Sequence, residues 1–150
     1  MRADAKKNYD QLLAVAREVI AEQGAEASLR DVARKAEVGL GTLYRHFPTR
    51  EALLEALLRS TFDGLTAQAA ALESSSAPAE ALVTWMHDCA AAAHTYRGVI
   101  ALMLAAMDDQ ESALHASCVT MKAAGTRLLT RAQRLCVARI QAGHDHAQLV

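Results

Sequence analysis

The stretch GLGTLYRHFPTRE, residues 39 to 51, combines two glycines, two aromatic residues, two arginines, a histidine and a proline in thirteen positions. Gly39 and Gly41 leave the start of a predicted helix without side-chain bulk, so its backbone amides can approach a phosphate, which the helix dipole also favours. Thr42, near the start of the same helix, can reach a base edge or a phosphate. The chemistry predicted for this stretch is the binding of a polyanion.

The charge of the chain is distributed unevenly. The formal net charge is −1, but residues 1 to 50 hold nine Lys and Arg against seven Asp and Glu, whereas residues 51 to 150 hold seven against ten. Within 28 to 50 the cations are Arg30, Arg34, Lys35, Arg45 and Arg50, opposed by Asp31 and Glu37. A basic patch on a nearly neutral protein indicates a polyanion site at one end of the molecule. Of these cations, Arg34 and Lys35 are expected to form a solvated face.

Short helices are predicted to position this patch. Apolar residues at helical spacing predict a first helix over 9–23, which Gly24 ends as a left-handed cap. Ser28 predicts the start of a second helix over 29–36, where Asp31 completes a capping box by reaching back to the Ser28 amide. The first two helices therefore have clear stop and start signals.

A tight turn over 37–39 joins the second helix to a third over 41–46. Two short helices joined by a glycine-containing turn are typical of the helix-turn-helix motif. Leu43 and Phe47, four positions apart, are predicted to face the core rather than a partner. Pro48 ends the third helix, because the residue before a proline is pushed out of the α region.

The rest of the pattern is also helical. Thr49 predicts the cap of a fourth helix that runs to about residue 72, and residues 74–78 break the pattern before a helix over 79–95. The short run 99–107 is apolar nearly all round and is expected to be buried.

The last predicted helix covers 110–136 and carries a narrow apolar seam suited to antiparallel helix packing. The seam consists of Leu114, Cys118, Met121, Gly125, Leu128, Ala132 and Leu135. It either pairs two chains or packs on the helix at 79–95 in its own chain. No strand signal is present, so the sequence predicts an all-α protein.

The segment SLRDVARKAEVGLGTLYRHFPTREALLEALL resembles the DNA-binding region of the TetR family of bacterial transcriptional regulators, over about residues 9–65. The segment ALVTWMHDCAAAAHTYRGVIALMLAAMDDQESAL more loosely resembles the C-terminal domain of the SbtR-like subgroup. The resemblance implies an N-terminal three-helix DNA-binding domain with a helix-turn-helix (residues 1–48), linked by the fourth helix to a C-terminal helical ligand and dimerisation domain (residues 49–150).

The resemblance also implies roles for individual residues. Tyr44 and His46 match the pair that relatives lay on the sugar-phosphate backbone, and Arg50 takes a position usually held by a phosphate-gripping lysine. Many relatives carry a serine and a long polar residue where this chain has Gly39 and Leu40, so direct base readout is expected to be sparse. The residues expected to contact DNA are Ser28, Arg30, Gly39, Leu40, Gly41, Thr42, Tyr44, Arg45, His46 and Arg50.

In the family, the C-terminal helices enclose a small-molecule pocket, and soft thioethers and aromatic rings suit an apolar, adaptable cavity. The residues expected to line it are Trp85, Met86, Cys89, His94, Tyr96, Met103 and Met107. The alternative is that these residues form only a methionine-rich core. The implied function is that of a repressor, which binds a palindromic duplex operator as a homodimer and is released by a small apolar effector.

TetR-type chains usually continue through two further helices that pair with those of a second chain, whereas this sequence ends at GHDHAQLV. The C-terminal domain is therefore expected to be truncated. This gives a second hypothesis, a helical adaptor or decoy that pairs with a full-length relative.

Other function classes are not favoured. Cys89 and His94 lie five residues apart on a predicted helix, which separates them by roughly 140° around its axis, and no glycine elbow, phosphate loop or paired carboxylates accompany them. The histidines lack metal-ligand spacing. We therefore expect no enzymatic activity, no metal and no cofactor.

The three cysteines are far apart, which is typical of buried thiols in a reducing compartment; a redox-sensing role is the alternative. The longest apolar run is about half of the roughly 20 residues needed to cross a bilayer, and the charged N-terminus is not that of a signal peptide. A cytoplasmic protein without membrane contact is expected.

Overall fold

The structure, a computed structural model, describes residues 2–147, and it describes side chains from residue 3 to residue 142. This part of the chain is α-helical and contains no strand, which confirms the predicted fold class. The helices are α1 (Arg2–Gln23), α2 (Leu29–Lys35), α3 (Leu40–His46), α4 (Arg50–Leu72), α5 (Pro78–Thr95), α6 (Arg97–Asp108) and α7 (Ala113–Ala147).

Polar caps and one glycine set the boundaries of the first four helices. Gly24 has a φ of 77°, the left-handed conformation that glycine adopts without steric cost, so α1 ends where predicted. The Ser28 hydroxyl accepts from the amide of Arg30 at 3.1 Å, and the Thr49 hydroxyl accepts from the amide of Ala52 at 3.1 Å. Each cap satisfies an amide that the helix itself leaves unpaired.

The start of α1 differs from the prediction. The helix begins at Arg2 rather than at residue 9. Residues 3 to 7 are exposed, so no apolar periodicity marks them as helical. Hydrophobic spacing predicts only helical segments that have an apolar face, so it does not predict one that contributes nothing to the core.

One apolar core runs from the helix-turn-helix into the long helices. Leu43 of α3 and Phe47, the residue that follows it, are 0% and 2% exposed, which confirms that they face the core. They belong to the same buried cluster as Leu12 of α1, Leu53 of α4 and Leu114 of α7. The core therefore fixes the position of α3 relative to the helices that follow.

A second, smaller core lies between α4, α5 and α7. It contains Trp85, Ala124 and Leu128, and the Trp85 indole Nε1 donates to the backbone carbonyl of Leu65 at 2.8 Å. Gly125 lies directly against the indole, since a Cβ built there would stand 2.4 Å from Trp85 Cη2. The absence of a side chain at this position lets α7 approach α5.

The seam of α7 packs inside its own chain, on α4 and α5. Leu114 and Leu128 are 0% and 1% exposed, so the prediction that the seam residues of 110–136 pair two chains is wrong for them, and the alternative of packing within the chain is confirmed. The helix also continues to Ala147 rather than ending at residue 136.

Helix α6 is buried on one face only. Val99 and Met103 are buried, but Leu102 and Leu104 are 52% and 53% exposed, so the expectation of a helix buried all round is wrong. The axes of α5 and α6 meet at 96° at Tyr96, and none of the helices that the structure describes covers Leu102 and Leu104 on the outward face of α6. Within residues 2–147 no single helix is long and apolar enough to cross a membrane; α5 and α6 reach that hydropathy only as a pair with this bend.

Candidate nucleic-acid interface and internal cavity

Helix α3 presents polar side chains on the side opposite its buried leucine. Tyr44 is 44% exposed, Arg45 is exposed and His46 is half-buried. Gly39 and Gly41 are exposed, and a Cβ built at either position meets nothing within 4 Å. The protein's own packing therefore does not require these glycines, and the space beside the first turn of α3 is open to a partner.

Aromatic contacts from α1 orient the His46 ring. Its centroid lies 6.1 Å from that of Tyr9 in an edge-on arrangement and 6.3 Å from that of Phe47. Edge-on and tilted arrangements at these distances are favourable aromatic contacts, so the ring packs at the edge of the core. Tyr9 is absent from the predicted site, because nothing in its sequence position, at the start of the first predicted helix, indicates contact with α3.

The cations of the basic patch fall into two groups, and the first is neutralised within the chain. Arg34 donates to Asp31 at 2.8 Å, so Asp31 does not act as the back-reaching member of the predicted capping box. Lys35 lies 3.1 Å from Glu22 and 3.2 Å from Glu18, and hydrogen bonds to these two carboxylates raise its pKa. These partners are exposed carboxylates, as expected for a solvated face.

The second group has no acidic partner. Among the side chains that the structure describes, none forms an ion pair with Arg30, Arg45 or Arg50. The Nη2 atom of Arg50 is shielded from solvent and has no hydrogen-bond partner. The uncompensated positive charge of the patch therefore comes from α2, α3 and the first residue of α4.

The remaining predicted contacts surround this group. Ser28 and Arg30 are exposed at the start of α2, whereas Leu40 and Thr42 are half-buried in the first turn of α3. The Ser28 hydroxyl already caps α2. It has lone-pair and donor capacity left for a further bond, because a hydroxyl both donates and accepts.

A cavity of about 290 Å³ lies between α4, α5, α6 and α7. Its wall contains Cys89, Tyr96 and Met107 as predicted, together with Ala92, Ala93, Ile100 and Cys118. It also contains residues that the sequence reading missed, namely Leu58, Thr61, Phe62 and Leu65 of α4 and Met121 and Lys122 of α7. The apolar stripe of the fourth predicted helix continues beyond the residues that pack against the helix-turn-helix. That extra length is the sequence signal that indicates the α4 residues of the wall.

Four predicted cavity residues lie elsewhere. Trp85 fills the second core against Gly125, and Met103 is buried in the main core. Met86 is 56% exposed on the outside of α5. His94 borders a separate depression near the end of α1. The family resemblance and the residue types indicate the helices that enclose a cavity but not which face of each helix borders it, and packing places these four residues on other faces.

The cavity wall has little polar character. Burial raises the pKa of the Cys89 thiol, and the neighbouring Asp88 carboxylate raises it further, so the neutral thiol is favoured. The Thr61 hydroxyl donates to the carbonyl of Leu57 at 2.9 Å. Among the described side chains, no group of three or more His, Cys, Asp or Glu is placed to hold a metal ion.

Two family models match the chain. Residues 12–57 match bacterial regulatory proteins of the tetR family, and residues 77–146 match the C-terminal domain of SbtR-like transcriptional regulators. An HTH-type transcriptional regulator of Staphylococcus aureus (strain USA300) is 34% identical over 64 residues, which is 42% of this chain and 35% of that protein. The aligned region thus spans about a third of the length of this curated relative.

Solved structures extend the likeness to most of the chain. A TetR transcription regulatory protein from Mycobacterium vanbaalenii is 32% identical with a TM-score of 0.68, over 89% of this chain and 80% of that one. The TetR transcriptional regulator SCO0520 from Streptomyces coelicolor is 35% identical with a TM-score of 0.62, over 85% and 73% of the two chains. With its helix-turn-helix, its uncompensated cations and these likenesses, the chain belongs to the TetR family of transcriptional regulators.

Proposed function

We propose that this regulator is a repressor, which binds a palindromic duplex operator as a homodimer and leaves it when a small, largely apolar effector fills the cavity. The observation that carries the proposal is that α4 belongs to both sites. Leu58, Thr61, Phe62 and Leu65 of this helix form one wall of the cavity. Leu53 and Leu54, in its first turns, are buried in the core that supports α3.

In the proposed complex, α3 enters the major groove. Tyr44 and His46 donate to the phosphate backbone, Arg45 faces the groove, and the open amides at Gly39 and Gly41 approach a phosphate. Thr42 reaches a base edge or a phosphate, and Leu40 contributes apolar contact beside it.

Residues from the neighbouring helices would fix the register of α3. Ser28 and Arg30 bind phosphate from the start of α2, and Arg50 does so from the start of α4. A buried donor without an acceptor costs free energy, so the half-buried Arg50 side chain would gain by turning its unpaired Nη2 outward to a phosphate oxygen. Such contacts position the protein without reading sequence.

The effector would act through the position of α4. Two α3 helices of a dimer must lie about 34 Å apart to enter successive major grooves. A ligand that binds more tightly when α4 is displaced shifts the population toward dimers with the wrong spacing. Effector binding and DNA binding are coupled if the effector binds the two positions of α4 with different affinity.

A pair of arginine variants tests the DNA side. Arg45→Ala removes an uncompensated cation from α3, and Arg34→Ala removes a cation that Asp31 already neutralises in the same helix-turn-helix. Fluorescence anisotropy with a duplex from the region upstream of its own gene should show Arg45→Ala weakening binding about tenfold or more, and Arg34→Ala changing it less than about twofold. Equal effects of the two variants would contradict the proposed face.

A further inference from the structure

Among the side chains that the structure describes, the wall of the cavity carries one charged group, Lys122. Its wall is apolar except for Thr61, Tyr96 and Lys122. The Thr61 hydroxyl donates to the Leu57 carbonyl within α4 and is not available as a donor to a ligand. No carboxylate belongs to the wall. The nearby Asp88 carboxylate accepts from the side-chain amide of Gln68. Any ionic group that a ligand carries into this cavity therefore meets a single cation, the Lys122 ammonium.

Lys122 lacks the protein partners that the next two cations of α7 have. Arg127 donates to Glu73 at 2.6 Å, and Arg131 donates to the carbonyl of Ser75 at 3.3 Å. Among the side chains of residues 3–142, no carboxylate pairs with Lys122. Arg134 and Arg139 of α7 also have no ion-pair partner there, but they are not part of the cavity wall, so Lys122 is the unpaired cation that borders the cavity.

The position of Lys122 suits a head group at the cavity mouth. Cys118, Met121 and Lys122 lie three and four positions apart on α7 and all border the cavity, so they share one helix face. Cys118 is buried, whereas Lys122 is exposed. A lysine in this setting lays its methylene stem along an apolar wall and keeps its ammonium at the water.

We propose that the cavity binds a hydrophobic monocarboxylate, with its apolar body among the α4, α5 and α6 side chains and its carboxylate paired with Lys122. A volume of about 290 Å³ holds about ten non-hydrogen atoms if each takes the ~30 Å³ that a water molecule occupies in the liquid. The inference rests on the proposed function only in treating this cavity as the ligand site. It deepens that proposal by naming the charge and size of the effector.

Three eight-carbon probes test the inference: octanoate, 1-octanol and octylammonium. The single tryptophan of the chain, Trp85, reports on binding, because Cys89 and Met121 both border the cavity and pack against its cluster. Titration of the full chain should show octanoate binding about five- to tenfold more tightly than octanol, and octylammonium binding most weakly.

Variants at Lys122 separate charge from shape. Lys122→Met should bring the affinity for octanoate down to that for octanol, and Lys122→Arg should keep the preference. Lys6→Met, an equal change on the exposed start of α1, should leave all three affinities unchanged. Because Lys122 is exposed, these variants are expected to fold as the parent does, which circular dichroism checks.

The inference is overturned if none of the probes binds, if octanoate has no advantage over octanol, or if Lys122→Met keeps that advantage. Release from the duplex is a separate measurement on the same samples. A Lys122-dependent preference for octanoate without any change in duplex affinity would support the binding site and contradict the proposed release. Release by all three probes alike would support the regulatory cavity and contradict the role of Lys122.

Discussion

Trp85 and Gly125 are matched in size where α5 crosses α7. The indole is held by its hydrogen bond to the Leu65 carbonyl, so it cannot retreat without breaking that bond. Only a residue without a Cβ fits opposite it, since the built Cβ stands 2.4 Å and 2.5 Å from two ring carbons. Helix propensity alone would favour alanine at residue 125, and packing overrides that preference.

Gly125→Ala is therefore expected to lower the free energy of unfolding by about 1–2 kcal/mol, because overpacking costs about 1–3 kcal/mol and the propensity gain returns up to about 1 kcal/mol. Gly64→Ala is the matched control. Gly64 lies within α4 and a Cβ there meets nothing within 4 Å, so stability should rise by up to about 1 kcal/mol. Denaturant unfolding followed by circular dichroism measures both, and a stabilised Gly125→Ala variant would contradict the packing described here.

Tyr44 offers a hydroxyl that the fold does not use. The side chain is 44% exposed, and the structure gives its hydroxyl no partner among the described residues. Tyr44→Phe should leave stability unchanged and weaken binding to all duplexes by a similar factor, at about 1 kcal/mol per lost hydrogen bond, because phosphate contacts carry no sequence information. Competition assays with specific and random duplexes measure the factor, and unchanged affinity for both would remove Tyr44 from the interface.

The Cys89 thiol is expected to react slowly. Its raised pKa keeps it protonated at neutral pH, and the thiolate is the reactive form. Iodoacetamide should label exposed Cys136 faster than Cys89, with Cys89 labelling accelerating only at alkaline pH; mass spectrometry of timed samples follows both. The pKa of Cys89 is higher in the folded state than in the unfolded state. The free energy of unfolding is therefore expected to keep its neutral-pH value below the unfolded-state pKa and to fall as the pH rises through the folded-state pKa. Faster labelling of Cys89 at neutral pH would be inconsistent with this burial.

At the scale of elements, α7 supports the fold through its seam. Leu128 is 1% exposed and its neighbour Leu129 is 44% exposed, so the two leucines make a matched pair. Leu128→Arg buries an unpaired charge, which should cost several kcal/mol and unfold or precipitate the chain. Leu129→Arg should fold with nearly the stability of the parent. Thermal melts compare the stability of the two variants with that of the parent chain. A folded Leu128→Arg variant would show that the seam is not a core.

The elements whose boundaries the sequence predicts well are those with local signals. Ser28, Thr49 and Pro48 mark the ends of α2, α3 and α4, because capping and proline geometry act within a few residues. The sequence does not predict the exposed start of α1 or the exposed face of α6, and the reason is the same for both. Both depend on whether another helix covers a given face, and the hydrophobic pattern of one segment carries no information about the position of the others.

The two sites were predictable to different degrees. The residues of α3 form one surface because they are adjacent in sequence around a motif with a fixed geometry. The cavity wall draws on four helices, so its members are fixed only when those helices pack. Cys89, Tyr96 and Met107 reach the cavity, but Trp85 and Met103 are equally apolar and fill the cores beside it. Thr61 and Phe62 of α4 lie outside the predicted wall, because the sequence analysis draws the cavity residues only from the helices after residue 78.

At the scale of the whole molecule, the uncompensated charge lies near the start of α4 and the cavity lies beside its middle turns. The ion-paired Arg34 and Lys35 leave Arg30, Arg45 and Arg50 as the net positive charge near α3. The cavity borders the later turns of α4. In the proposed mechanism, this separation lets the effector act on DNA binding without touching DNA, because a rigid helix transmits a displacement along its length.

We propose that this regulator binds duplex DNA through Arg30, Arg45 and Arg50, the uncompensated cations near α3. The most direct measurement is duplex affinity as a function of salt concentration, for the parent chain and for Arg30→Ala and Arg34→Ala. We expect a linear fall of log affinity with log salt, at about 0.9 per neutralised phosphate. Arg30→Ala should make that slope shallower by about one unit per protomer, and Arg34→Ala should leave it unchanged. Tight binding with a slope near zero, or an equal change for both variants, would contradict the claim.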